Sequence, residues 1–110
     1  MSEQCIFCKI VNGELPATKV YEDDNIVAFN DIHPKASTHV LVVPKVHVAS
    51  MNDLTEDHRA LIADIMLCIP RIAKQIGLTG YRVVVNNGRE GGQEVFHLHF
   101  HILGGVIPRF

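Results

Sequence analysis

The chain has no tryptophan, only three cysteines, 6% aromatic residues and a formal charge of -2, so neither sign of charge dominates. An odd cysteine count argues against a closed disulfide framework. No basic stripe runs along any segment, which removes the general electrostatic reason for binding nucleic acid; a nucleotide would have to be held by local groups. No run reaches the roughly 18 apolar residues of a membrane-spanning helix. The start, Met1 to Cys5, lacks the basic region of a secretory signal. These absences predict a cytoplasmic protein with reduced thiols and no membrane partner. Repeats, low-complexity tracts and Pro/Gly/Ser linkers are also missing, so the 110 residues, 47% of them hydrophobic, are expected to form one domain over residues 1–110. A domain this small gains stability from homodimerisation.

The residues that are present divide into short elements. Cys5 to Asn12 reads as a short helix with Ile6, Phe7 and Ile10 on its apolar face and Gly13 as its stop. Lys19 to Glu22 and Ile26 to Asn30 read as strands around a turn at 23–25, and His39 to Val43 as a continuous apolar strand closed by Pro44. Thr55 is a good N-cap for a long helix whose Leu61, Ile62, Ile65, Ile69, Ile72 and Ile76 recur at helical spacing; Pro70 should kink it or free a carbonyl near Met66. Tyr81 to Asn86 and Val95 to Leu103 complete five strands. The expected class is α+β: a five-stranded antiparallel sheet, one long helix on a face, and a short N-terminal helix.

The last strand carries the chemistry. In Val95-Phe-His-Leu-His-Phe-His-Ile-Leu103 the alternation has period two, so His97, His99 and His101 share one face while Phe96, Leu98, Phe100 and Ile102 share the other. Three buried imidazoles on one face each need partners for both ring nitrogens, which distinguishes the row from a single structural histidine. A solvent-exposed row and a zinc hydrolase site are the competing readings. Same-face neighbours lie about 7 Å apart, so the outer two histidines are badly spaced to share one ion. A neutral imidazole is a competent nucleophile near pH 7, and better when its other nitrogen is held by an acceptor. Just upstream, the turn-rich Asn86 to Gly92 loop has glycines that let backbone N–H groups approach an anion.

With these residues in view, the sequence resembles the histidine-triad (HIT) family, and within it the Hint branch. The carrying motif is Gly91-Gly-Gln-Glu-Val-Phe-His97-Leu-His99-Phe-His101-Ile-Leu-Gly-Gly105, supported by Cys5 to Ile10, Tyr21 to Asp24, Ala28 to Ile32, Thr38 to Lys45 and Tyr81 to Asn86. The resemblance implies a HIT-like fold, a homodimer whose two sheets join, and attack on the α-phosphorus of purine nucleoside phosphoramidates through a nucleotidyl-histidine. It implies His99 as nucleophile, His101 against the phosphate or scissile atom, and His97 and His47 completing the catalytic cluster. Ile6, Phe7, Ile10, Phe29 and Ile32 match the base pocket and Asp31 the ribose carboxylate, with Asn30 beside it. Asn86, Gly92, Gln93, Glu94 and Val95 match the phosphate side. Glu94 departs from the pattern, standing where many Hint proteins carry a serine. Family members with this cysteine pair bind structural zinc, which implies Cys5, Cys8, His47 and His97 as ligands here. Dinucleoside polyphosphate hydrolysis and nucleotide binding with vestigial catalysis are the alternative functions. His33, His39 and His58 receive no chemistry, with His39 expected to be a hydrogen-bonded structural residue.

Overall fold

A computed structural model describes residues 4–107 of the chain. The elements in order are α1 (Ile6–Val11), β1 (Lys19–Glu22), β2 (Ile26–Asn30), β3 (Thr38–Pro44), two single-turn 3₁₀ helices (Met51–Asp53 and Glu56–His58), α2 (Arg59–Gln75), β4 (Arg82–Val84) and β5 (Phe100–Gly104). They form the expected antiparallel five-stranded sheet, in the order β1-β2-β3-β5-β4.

Alternation along the strands makes the sheet a partition. Ile26, Ala28, Val40, Val42, Phe100 and Ile102 point to one face and bury Ile65, Cys68, Ile69 and Ile72 of α2. Val27, Phe29, Leu41 and Val43 point to the other, where they enclose Cys5, Phe7, Cys8 and Ile10 of the α1 segment. Each fully buried aliphatic or aromatic side chain contributes about 1.5–3 kcal/mol relative to exposure. The helix face read from Leu61 to Ile76 is therefore the one that packs.

Several boundaries differ from the sequence reading. The last strand starts at Phe100, not Val95: residues 95–99 form a bend and an extended approach with no ladder partner. Leu98 still anchors this approach, donating its N–H to Val48 O at 2.7 Å. Leu98, Phe100 and Ile102 face α2 as expected, but Phe96, on the bend, is 44% exposed. Thr55 caps the second 3₁₀ turn rather than α2, with the His58 ring accepting from the Thr55 N–H in return. α2 continues through Pro70, which lies exposed in the second turn from its end and costs one backbone hydrogen bond without ending the helix. On α1, Cys8 rather than Ile6 joins Phe7 and Ile10 in the buried face; Ile6 is 46% exposed.

Candidate active site and metal centre

Hydrogen bonds to the backbone fix the tautomers of the histidine row one by one. His97, fully buried, has Nε2 at 2.7 Å from Pro44 O, so Nε2 carries the proton and Nδ1 is left as a lone pair. His99 has Nδ1 at 2.7 Å from His97 O; its proton is therefore on Nδ1, and Nε2 presents the lone pair. His39 accepts the Lys35 N–H on Nδ1 at 3.0 Å, so its Nε2 is protonated and donates to His101 Nδ1 at 2.8 Å. His101 must then carry its proton on Nε2, and that buried N–H has no partner among the described residues. The His99 and His101 rings are 4.9 Å apart between centroids. A nucleophilic lone pair and an unsatisfied donor thus stand side by side.

Electrostatics keep the row neutral. Burial pulls the pKa of His99 and of His97 below 6.5. His101 is pushed down to about 4, first by burial and then by its neighbours His99 and His39. Burial likewise lowers His39, against the opposing pull of Asp31, whose Oδ2 lies 3.5 Å from His39 Nε2. At pH 7 all four act as uncharged imidazoles.

His47 stands elsewhere. Its Nδ1 is 3.1 Å from His97 Nδ1 and 3.2 Å from Cys8 Sγ, while Cys5 Sγ lies 3.3 Å from His97 Nδ1. The four donor atoms of Cys5, Cys8, His47 and His97 all fall within 4.8 Å of one another. Because Pro44 O holds the proton of His97 on the far nitrogen, a ring lone pair is aimed into the group, as metal-ligating histidines require. This group can hold a metal. It joins the α1 segment to the approach of β5. The companion of His101 is thus His39, which received no chemistry in the sequence reading; within the structure His47 belongs with the cysteines. Asp31, His39 and His101 form a second cluster of ligand-type atoms.

The remaining predicted residues separate similarly. Phe7 packs edge-on against Phe29 (5.5 Å) and against His99 (5.0 Å), and Ile10 joins the same buried cluster. Ile32, 85% exposed, Asn30 and Ile6 lie at the surface, and half-buried Asp31 caps the following turn by accepting the His33 N–H. The glycine loop is mostly self-bonded: the N–H groups of Gly91, Gly92 and Gln93 donate to Gly88 O, Arg89 O and Gly88 O. Gln93 is buried as the loop's clamp, accepting from Gly88 N and donating to Ala49 O and Val95 O. Its side chain is committed to the loop, and the glycine amides turn inward, contrary to a cradle built from them. The amides of Glu94 and Val95 make no hydrogen bond among the described residues. Asn86 is half-buried behind Gly92. A cavity of about 500 Å³ opens on this side, bounded by Cys5, Ile6, His47, Glu94, Val95 and Phe96.

An antiparallel sheet between two buried clusters, delivering a neutral histidine pair beside a mixed thiol–imidazole group, is the arrangement with which the comparisons agree. The pattern of the HIT domain matches residues 12–106. The purine nucleoside phosphoramidase of Escherichia coli K12 is 42% identical over 107 residues, covering 96% of this chain and 90% of that protein. A histidine triad protein from Clostridium difficile superposes with a TM-score of 0.93 at 50% identity, covering 100% of this chain and 98% of that one. A zinc-bound histidine triad family protein from Mycobacterium smegmatis gives a TM-score of 0.77 at 35% identity, covering 91% of this chain and 73% of that one. The chain belongs to the HIT family, and its relatives support a hydrolase.

Proposed function

We propose that this protein hydrolyses purine nucleoside phosphoramidates through a nucleotidyl-His99 intermediate. The observation that carries the reading is the tautomer pattern: Nδ1–H of His99 held by His97 O, its Nε2 lone pair free, and the unpaired Nε2–H of His101 alongside. His99 Nε2 attacks the α-phosphorus, the P–N bond breaks, and the amine departs with a proton from solvent. Water then attacks the phosphorus, the P–Nε2 bond breaks, and the nucleoside monophosphate is released. As an uncharged imidazole, His101 acts as a hydrogen-bond donor to the phosphoryl or scissile atom, and His39 positions it. The amides of Glu94 and Val95 are the remaining donors on the phosphate side. Phe7 and Phe29 form the apolar floor for a base, and the Asp31 carboxylate accepts from the ribose hydroxyls.

Cys5, Cys8, His47 and His97 are proposed to hold zinc, whose role when bound is structural: fixing the α1 segment against His97. Thiolate and imidazole donors suit that ion. The relationship to the zinc-bound M. smegmatis protein supports the assignment. The enzyme is further proposed to work in the cytoplasm as a homodimer. β4 supports the dimer, being an edge strand whose central residue, Val83, is 42% exposed.

Mass spectrometry under single-turnover conditions tests the mechanism. Wild type is expected to gain one nucleotidyl group on His99, and His99→Ala to lose turnover while still binding AMP. Turnover by His99→Ala at the wild-type rate, or no adduct on His99, would overturn it.

A further inference from the structure

The Cys5-x-x-Cys8 pair has a second chemistry open to it besides holding a metal. Its two sulphurs fall within 4.8 Å of each other, and both lie beside His97 Nδ1, at 3.3 and 3.5 Å, so the two side chains point the same way from the first turn of the α1 segment. A disulfide needs sulphurs about 2 Å apart on residues whose Cβ atoms are about 4 Å apart. The sulphurs, on residues three apart at the start of the α1 segment, have at most 4.8 Å to close. Access is unequal. Cys5 borders the cavity of about 500 Å³, whereas Cys8 lies behind it at 1% exposure. Cavities of this size admit small organic molecules. The third cysteine, Cys68, is buried across the sheet, on the α2 face.

We propose that Cys5 and Cys8 form a reversible dithiol–disulfide site that reacts with low-molecular-weight disulfides such as oxidised glutathione. The Cys5 thiolate attacks one sulphur of the disulfide, forming a mixed disulfide and expelling one thiolate. The Cys8 thiolate then attacks Cys5 Sγ, forming the Cys5–Cys8 bond and expelling the second thiolate. Two protein thiols are oxidised, one external disulfide is reduced to two thiols, and the two protons released are taken up by those thiolates. Closure takes the two thiolates out of the four metal-ligand atoms and turns both sulphur neighbours of His97 Nδ1 into a neutral disulfide. His97 O is the acceptor that fixes the proton of His99. Oxidation therefore reaches the nucleophile, a consequence that rests on the proposed role of His99.

Intact-mass measurement of the full chain treated with oxidised glutathione, both zinc-loaded and chelator-treated, tests the site. Wild type and Cys68→Ser are expected to lose about 2 Da, two hydrogens, with peptide mapping placing the bond between Cys5 and Cys8 and dithiothreitol reversing it. Cys8→Ser is expected to stop at a glutathione adduct on Cys5. Absence of a Cys5–Cys8 bond in the metal-free wild type, or a bond involving Cys68 instead, would overturn the proposal. Nucleotidyl transfer to His99, measured separately, is expected to slow at least tenfold in the oxidised form and recover on reduction. An unchanged rate would refute the coupling to His99. A reduced protein that forms no adduct would refute the function proposed above, while the mass measurement still decides the dithiol site.

Discussion

Acidification is expected to destabilise the fold through His101 in particular. Its folded pKa is pushed down to about 4 from an ordinary value of 6.5. Between those two values the unfolded chain binds a proton that the folded chain refuses, so stability falls as pH falls. The contribution is fully present above about pH 6.5, and nothing further is lost below about pH 4. Two-state proton binding gives a loss of about 2 kcal/mol between pH 7 and pH 5 from this one imidazole. That is a large share of the roughly 5–15 kcal/mol that stabilises a domain. His39 and His97 are shifted the same way by burial, so the wild type loses at least this much. Comparing wild type with His101→Asn isolates the single group. Urea unfolding of both at pH 7 and pH 5, with slopes of about 1–3 kcal/mol per molar, should show the wild-type midpoint falling about 1 M further than that of the variant. Equal falls in the two proteins would refute the reasoning, because His101 would then titrate alike folded and unfolded.

Two more outcomes follow from the site's supporting contacts. His39→Ala removes the donor that fixes the His101 tautomer and should lower kcat about 10–100-fold with little change in KM, whereas His39→Gln, whose amide can still donate, should recover part of the rate; steady-state kinetics checks both. Gly91→Ala places a Cβ 2.4 Å from Asn87 O, a backbone atom that cannot yield, so the loop must rearrange around Gln93; a raised KM and altered amide resonances at 88–95 are expected, and unchanged kinetics would argue that the loop lies away from the substrate.

How far the sequence could be read follows from which contacts are local. The alternation of Leu98, Phe100 and Ile102 against the histidines is a property of consecutive residues, and so is the 3.6-residue stripe of α2; both appear in the fold as expected. The start of β5 is not legible in the sequence, because it is set by where the pairing with β3 begins: β3 runs on to Pro44 beside β2, but its ladder with β5 stops at Phe100 opposite Val42. His39 was passed over for the same reason. Its nearness to His101 comes from the β3–β5 register, in which Leu41 faces His101 and His39 lies one same-face step away. The period-two pattern of β3 does place His39 on the face of Leu41, so the signal existed, but only the pairing gives it meaning. His47, on the loop after β3, cannot be divided between His99 and the cysteines from sequence alone; only the chain's path brings its ring beside Cys8. The inward-turned glycine loop was hidden in Gln93, whose carboxamide looks the same in sequence whether it binds a ligand or its own backbone.

The sheet that separates the two buried clusters has a consequence for how this protein can change. Side chains packed on α2 and those around α1 form separate buried clusters, with a wall of alternating strand residues between them. Substitutions more than about 7–10 Å apart with no shared partner combine additively. The α2 face is therefore free to be repacked, by drift or by design, while the arrangement of histidines and thiols behind it is inherited intact. Compensation passes between side chains on the same face, such as the paired Phe29 and Leu41, and seldom across the sheet.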